Sequence, residues 1–249
     1  ISNCSMRVRM TLIEKGLDWE SHHIDLLKKE NITDEYFGIN PNGLVPTLVD
    51  DGVVHIESND IIDYLDETYP HPSLRAENDA EMMEWLHLAT AIHVPACKPY
   101  VYATKIAPKI KKTAEEQAKY DTLQKNQELK EFHSKHAGEK IFATSDFDKA
   151  NAILGACFTK LEVTLEGRVW IMGDRFTLAD ALVASLIDRM DDLGYAYLWE
   201  GELPGMEAWL AALQERPSFQ ACFYPGARIS ERYPEVYRTA REIEAERGY

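Results

Sequence analysis

Ser2, Cys4 and Ser5 fall within four residues, directly ahead of a helical pattern marked by Met6, Met10, Ile13 and Leu17. Hydroxyls and a sulfur at the mouth of a helix suit thiol chemistry. Only the thiolate is a nucleophile. An ordinary thiol titrates near about 8.5, and a hydroxyl donor and a helix N-terminus each lower that value for a sulfur beside them. Cys4 also has a bland reading, because a free cysteine is commonly an inert buried side chain.

A second stretch runs from Asn40 to Ser58: Asn40-Pro41-Asn42-Gly43-Leu44-Val45-Pro46-Thr47-Leu48-Val49-Asp50-Asp51-Gly52, ending on Glu57-Ser58. Asp51-Gly52 between two short apolar runs predicts a tight hairpin whose turn needs positive φ. Val45-Pro46 stands just before the first strand. A cis bond there leaves the Val45 backbone facing a groove, where an extended peptide can pair as an added strand. A hairpin that merely closes a sheet edge is an equal alternative on this stretch alone. Ser58 opens a helical pattern carrying Ile61, Ile62 and Leu65, so it reads as an N-cap.

The elements around these stretches define two parts. Residues 1–69 read as a helix stopped by Gly16, a strand over Trp19–Leu26, an irregular stretch with one short helix over 27–39, the hairpin and the Ser58 helix. One further strand in front makes this a thioredoxin-like βαβ-α-ββα unit. That strand is absent, so the sequence as given is expected to begin inside the first strand-to-helix loop. Pro70-His71-Pro72-Ser73 marks a linker over 70–77. Residues 78–249 read as an all-helical bundle. Glu81–Ala91 carries Met82, Trp85, Leu86 and Ala89 on one face, and Pro95, Pro99 and Pro108 interrupt the chain beyond it. A helix-rich excursion spans 105–145, with a loop near Gly138. Helices follow over Ala150–Leu165, from Thr177 to Met190, over Met206–Gln214 and along the charged tail 231–249. Thr177 and Asp180 form a capping box, and the apolar run behind them is the buried centre of the bundle.

Composition narrows the partners. The chain has 249 residues, 45% hydrophobic, with a net charge of −15, which disfavours a nucleic-acid backbone. Cys4, Cys97, Cys157 and Cys222 form no CxxC pair, so neither a zinc site nor a disulfide framework is expected, and a cytoplasmic setting fits. No apolar run is long enough to span a membrane. Between Lys98 and Lys112 there are five lysines and no acid; a solvated surface run and a local field for an anionic substrate are both open.

Taken together, Ser2-Asn3-Cys4-Ser5-Met6-Arg7-Val8-Arg9, Asn40 to Pro46, Glu57-Ser58, Ile62-x-Tyr64-Leu65 and Phe176-Thr177-Leu178-Ala179-Asp180 resemble the soluble glutathione transferase superfamily. The resemblance covers nearly the whole chain apart from 105–145. The start looks like the serine and cysteine classes, such as zeta and the tetrachlorohydroquinone dehalogenases. The excursion is similar to that of the bacterial β-etherases and the ganglioside-induced differentiation-associated proteins. The resemblance implies glutathione as co-substrate, an aromatic electrophile as second substrate, and a homodimer. Val45, beside Pro46, would bond the cysteinyl backbone. Glu57 would take the γ-glutamyl ammonium, and Ser58 with its helix N-terminus the carboxylate. Ser2 would donate to the thiolate, or Cys4 would react and form a mixed disulfide, with Ser5 beside them. Leu44 departs from the polar residue relatives place against the glycine carboxylate, a duty that would pass to Asn42, an upstream histidine or the lysine stretch. Trp85, His93, Tyr100 and Tyr102 would line the electrophile pocket. The alternative is a non-catalytic binding protein, since the first domain also resembles the stringent starvation protein.

Overall fold

The computed structural model describes residues 2–103, 109, 111–135, 142–234, 242 and 245. Helix α1 (Asn3–Glu14) is capped by Ser2, whose Oγ accepts the Ser5 N–H at 3.2 Å. It ends where Gly16 takes φ +62°, with Leu17 N–H bonded to the Leu12 carbonyl at 3.0 Å and Gly16 N–H to that of Ile13 at 2.9 Å. This is the left-handed stop that glycine adopts without steric penalty. Met6, Val8, Met10 and Leu12 are buried, so α1 packs both its flanks.

The sheet has two described strands, β1 (Thr47–Asp50) and β2 (Val53–Ile56), antiparallel with Thr47 opposite Ile56 and Asp50 opposite Val53. Asp51 and Gly52 both take positive φ, 46° and 80°, as a two-residue hairpin requires. The strand expected over Trp19–Leu26 is not there. A strand exists as a ladder, and this segment has no partner strand among the described residues; positions 18–23 are solvent-exposed instead. Helix α2 (Asp34–Ile39) is capped by Thr33. Helix α3 (Ser58–Thr68) buries Ile61, Ile62 and Leu65, but Ser58 is its first residue and Glu57 holds the cap position without a side-chain cap bond, one residue earlier than expected.

Helix α4 (Asp79–Ile92) buries Met82, Trp85, Leu86 and Ala89 as predicted. Pro95 does not end it. Proline offers no N–H to the preceding turn, and the chain accommodates this by widening into a π-helix over His93–Cys97 before resuming as α5 (Lys98–Ala103). The described part of the excursion contains α6 (Ala114–Leu123) and α7 (Gln127–Lys135). Gly138 and most of the 231–249 tail lie outside the described residues. Helix α8 (Thr144–Thr164) starts earlier than Ala150. Helix α9 (Leu178–Asp192) is buried on nearly every side and packs against both α1 and α4, so one continuous core runs through both parts. Helices α10 (Pro204–Gln214), α11 (Pro217–Cys222) and α12 (Ile229–Arg232) complete the bundle.

The 70–77 stretch is pinned. Lys15 Nζ donates to Asp66 at 2.6 Å and to the Pro72 carbonyl at 2.9 Å, while Asp66 also accepts the Leu74 N–H at 2.9 Å. Arg75 pairs with Asp63, Glu67 and Asp79. The two parts therefore hold a fixed relation, and groups from each can share one site. No described helix is long and apolar enough to cross a membrane.

Candidate functional site

The proline loop is braced from behind. Tyr36 Oη and Asn40 Nδ2 both donate to the Leu44 carbonyl, at 2.6 and 2.8 Å, and Asn31 Nδ2 donates to that of Gly43 at 2.8 Å. Gly43 has φ +61°, and a Cβ there would collide with the Phe37 ring, so only glycine fits. Val45 comes next. Its N–H and C=O make no hydrogen bond with the described residues, and its bond to Pro46 is cis. An unpaired, half-buried backbone edge is a docking edge for a peptide.

Glu57 sits nearby at φ 64°, ψ 116°, a conformation an L-residue rarely adopts. Its carboxylate is exposed and accepts from Asn42 Nδ2 at 3.3 Å. Arg7, to which the sequence pattern assigns no role, joins the helix starts. Only 2% exposed, it donates to Ser185 Oγ at 3.1 Å, to Asn59 Oδ1 at 3.1 Å and to Ser58 Oγ at 3.5 Å. One guanidinium thus fixes the start of α1, the start of α3 and the middle of α9 together. A signal for it exists in the sequence: an arginine flanked by Met6 and Val8, inside a helix whose other face also has to be buried.

At the α1 start, Ser2 Oγ already accepts the Ser5 N–H, so the hydroxyl proton is left for an outside acceptor. Ser5 contributes through that backbone N–H. Cys4 Sγ lies 4.0 Å from His93 Nε2, and Asn3 Nδ2 lies 3.5 Å from His93 Nδ1. With the Asn3 amide donating to Nδ1, the ring proton belongs on Nε2, facing the sulfur. Burial, reinforced by Lys98, Arg7 and Arg189, pushes the His93 pKa down to about 3. The ring is therefore a neutral donor at physiological pH, not an acid. Burial pushes the Cys97 thiol up to about 12, Cys157 to about 11 and Cys222 to about 12, which makes them structural. Cys4 is the half-exposed one.

The aromatic pocket residues divide. Trp85 is 1% and Tyr100 2% exposed, and both belong to the core. Tyr100 is edge-on to Phe147 and Tyr195 and hydrogen-bonds Asn151, so both side chains pack in the bundle interior. Apolar periodicity marks burial, and here it marks the bundle interior. The Tyr102 side chain lies outside the described residues. Of the three described side chains, His93 is the one that reaches the thiol end of α1. A cavity of about 640 Å³ lies between the π-helix, α7 and α8, lined by Val94, Pro95, Pro99, Phe132 and Ile153. Among the described residues no group of three His, Cys, Asp or Glu side chains is placed to hold a metal.

Residues 1–68 match the family model described as glutathione S-transferase, N-terminal domain, and residues 138–212 match that of the C-terminal domain. Protein LigF of Sphingobium sp. (strain NBRC 103272 / SYK-6) is 28% identical over 237 residues, covering 90% of this chain and 90% of its own. A zeta-class glutathione S-transferase of Euphorbia esula is 51% identical over 77 residues, 30% of this chain and 34% of its own. Among solved structures, the β-etherase LigF from Sphingobium sp. strain SYK-6 shares the fold with a TM-score of 0.74 at 25% identity, covering 88% of this chain and 94% of that one. With both domain models matched in order and the fold shared along most of its length, the chain belongs to the glutathione S-transferase family, enzymes that use glutathione as co-substrate.

Proposed function

We propose that the chain binds glutathione along the Val45 edge and activates its thiol for attack on an aromatic electrophile, with cleavage of an aryl ether as the reaction it serves. The observation that carries the reading is the pair of unpaired Val45 backbone groups, set beside the exposed Glu57 carboxylate and the start of α3. Val45 takes the cysteinyl N–H and C=O. Glu57 takes the α-ammonium, Ser58 and the α3 N-terminus the α-carboxylate. Ser2, with its proton free, donates to the thiolate, and the α1 N-terminus adds a favourable field. The thiolate then attacks the carbon bearing the aryl-ether oxygen. A C–S bond forms, the C–O bond breaks, and the phenolate leaves with the bonding pair to be protonated by water. The likeness to the β-etherase LigF supports this choice of electrophile. A cytoplasmic homodimer, the arrangement typical of the family, belongs to the same reading.

Reductive dehalogenation is the second reading, favoured by the His93 donor beside Cys4. There the glutathione thiolate first displaces chloride from the ring carbon, giving a glutathionyl hydroquinone; the Cys4 thiolate then attacks its sulfur, an S–S bond forms, the aryl–S bond breaks, and the aryl carbon takes a proton. A second glutathione then releases the mixed disulfide.

Ser2→Ala separates binding from activation. Loss of a hydroxyl bond to a charged sulfur is expected to raise the pKa of bound glutathione by roughly 1–2 units. The measurement is a pH titration of thiolate ultraviolet absorbance, with the dissociation constant from calorimetry within about threefold of wild type. Glutathione-dependent release of a fluorescent phenol from a β-aryl ether tests the electrophile. Turnover that survives Cys4→Ser supports ether cleavage, and a chlorinated hydroquinone turned over only with Cys4 intact supports the second reading.

A further inference from the structure

The excursion reaches back onto the peptide edge through one buried amide. Gln124 stands where α6 ends and the chain turns toward α7, and its side chain is 0% exposed. Its Nε2 donates to the Asn42 carbonyl at 2.8 Å, across 82 residues of sequence, and reaches the Tyr120 hydroxyl at 3.3 Å. Its Oε1 accepts the Asn126 N–H at 2.8 Å. Asn126 caps α7, with Oδ1 accepting the Leu129 N–H at 3.2 Å, and turns its Nδ2 to Asn42 Oδ1 at 3.4 Å. Asn42 in turn donates to Glu57 at 3.3 Å. The same face is closed by Tyr120, 3% exposed, edge-on to Phe37, the ring that packs over Gly43. A buried amide with both ends satisfied holds one rotamer, because any other would leave polar groups unpaired.

We propose that the α6–α7 connector is part of the glutathione site, in which Gln124 sets the position of Asn42 and, through it, of the Glu57 carboxylate that meets the γ-glutamyl ammonium. This rests on the binding reading above and adds to it a subsite supplied from the excursion. Asn42 is held at three points: its N–H bonds its neighbour Asn40 Oδ1 at 2.9 Å, and its carbonyl and side chain are tied to the connector. Its remaining amide hydrogens are thereby aimed at Glu57. Glu57 itself is exposed and lies on a strained turn, so it depends on such a neighbour to keep one orientation. Gln124 touches neither substrate nor thiol, so it acts as a positioning residue.

The test uses the full chain, with glutathione and an analogue lacking the α-amino group, glutaryl-cysteinylglycine, as probes. Wild type should bind the analogue roughly tenfold or more weakly than glutathione, since a charge-assisted bond is lost. Gln124→Ala, and Gln124→Glu, which keeps the acceptor for Asn126 but loses the donor to Asn42, should each weaken glutathione roughly three- to tenfold. In both, the ratio between the two ligands should shrink toward one, and the pKa of the bound thiol should stay at the wild-type value. A general loosening of the fold would weaken both ligands alike and leave the ratio unchanged, which would overturn the proposal. So would variants that bind glutathione as tightly as wild type. Asn126→Ala, at a more exposed position, gives the same readout where a Gln124 variant fails to fold. Wild type failing to bind glutathione at all overturns the binding reading and this inference together, whereas wild-type binding with an unaltered ratio in the variants overturns this inference alone.

Discussion

Glu57→Ala is expected to weaken glutathione binding by roughly 10- to 100-fold without loss of fold stability. The carboxylate meets an ammonium, and a hydrogen bond between charged groups contributes about 1.5–3 kcal/mol, which converts to that range of affinity. The backbone supplies the second half of the argument. Glu57 holds φ 64° with ψ 116°, off the left-handed well that L-residues tolerate. Strain of this kind costs of order 1–3 kcal/mol and persists where function needs the geometry. Glu57→Gly should therefore stabilise the unliganded protein by about 1 kcal/mol while binding falls as far as in the alanine variant. Calorimetry and urea denaturation measure the two effects separately. Unchanged affinity in Glu57→Ala would remove the ammonium contact from the account, and a marked loss of stability in Glu57→Gly would show that the turn is not strained.

The largest effect on folding is expected at Asp180. Its carboxylate is fully buried at the start of α9 and accepts four bonds: from Ile171 N–H, Thr177 N–H and Trp209 Nε1 at 2.9 Å each, and from Thr177 Oγ1 at 3.0 Å. Burial pushes its pKa up, while these four donors pull against that. Asp180→Ala removes the cap and leaves donors from the 170–173 turn and α10 buried without partners. Loss of a cap costs about 0.5–2 kcal/mol, and each orphaned buried group about 1–3 more. A total of about 3–5 kcal/mol is expected, read as a lower denaturation midpoint at unchanged slope. Asp180→Asn keeps the volume and one acceptor oxygen and should cost about half as much. A loss below about 1 kcal/mol in the alanine variant would mean that the carboxylate is not the junction these contacts describe. The capping box alone, as legible in Thr177-x-x-Asp180, gives only the smaller figure, because the sequence cannot show that Trp209 and Ile171 converge on the same group.

That contrast holds across the molecule. Local chemistry is readable wherever a short stretch decides its own conformation. Gly16 ends α1, Asp51-Gly52 turns the hairpin, and Thr177 opens the central helix, each for a reason contained within a few residues. Features that depend on a distant neighbour are not readable in this way. The segment over Trp19–Leu26 has strand-like residues but no ladder partner among those described. Pro95 has the look of a helix break, yet packing carries the chain through as a π-helix. Trp85 and Tyr100 have the types a pocket uses, and burial assigns them to the core. The partners of Arg7, His93 and Gln124 are not legible in the sequence, where Arg7 signals only its burial between Met6 and Val8, and for one reason. Each acts across 51 residues or more, on Ser58, Cys4 and Asn42 respectively, and no local pattern announces such a pairing.

The most direct test of the central claim is the backbone amide of Val45, followed by nitrogen-resolved NMR during titration with reduced glutathione. The account predicts a saturable shift of the Val45 and Ser58 amides, with slowed hydrogen exchange at Val45 as its N–H acquires a partner, and the same dissociation constant from both probes. A Val45 amide that neither shifts nor gains protection at millimolar glutathione, in a protein that is folded, would contradict it.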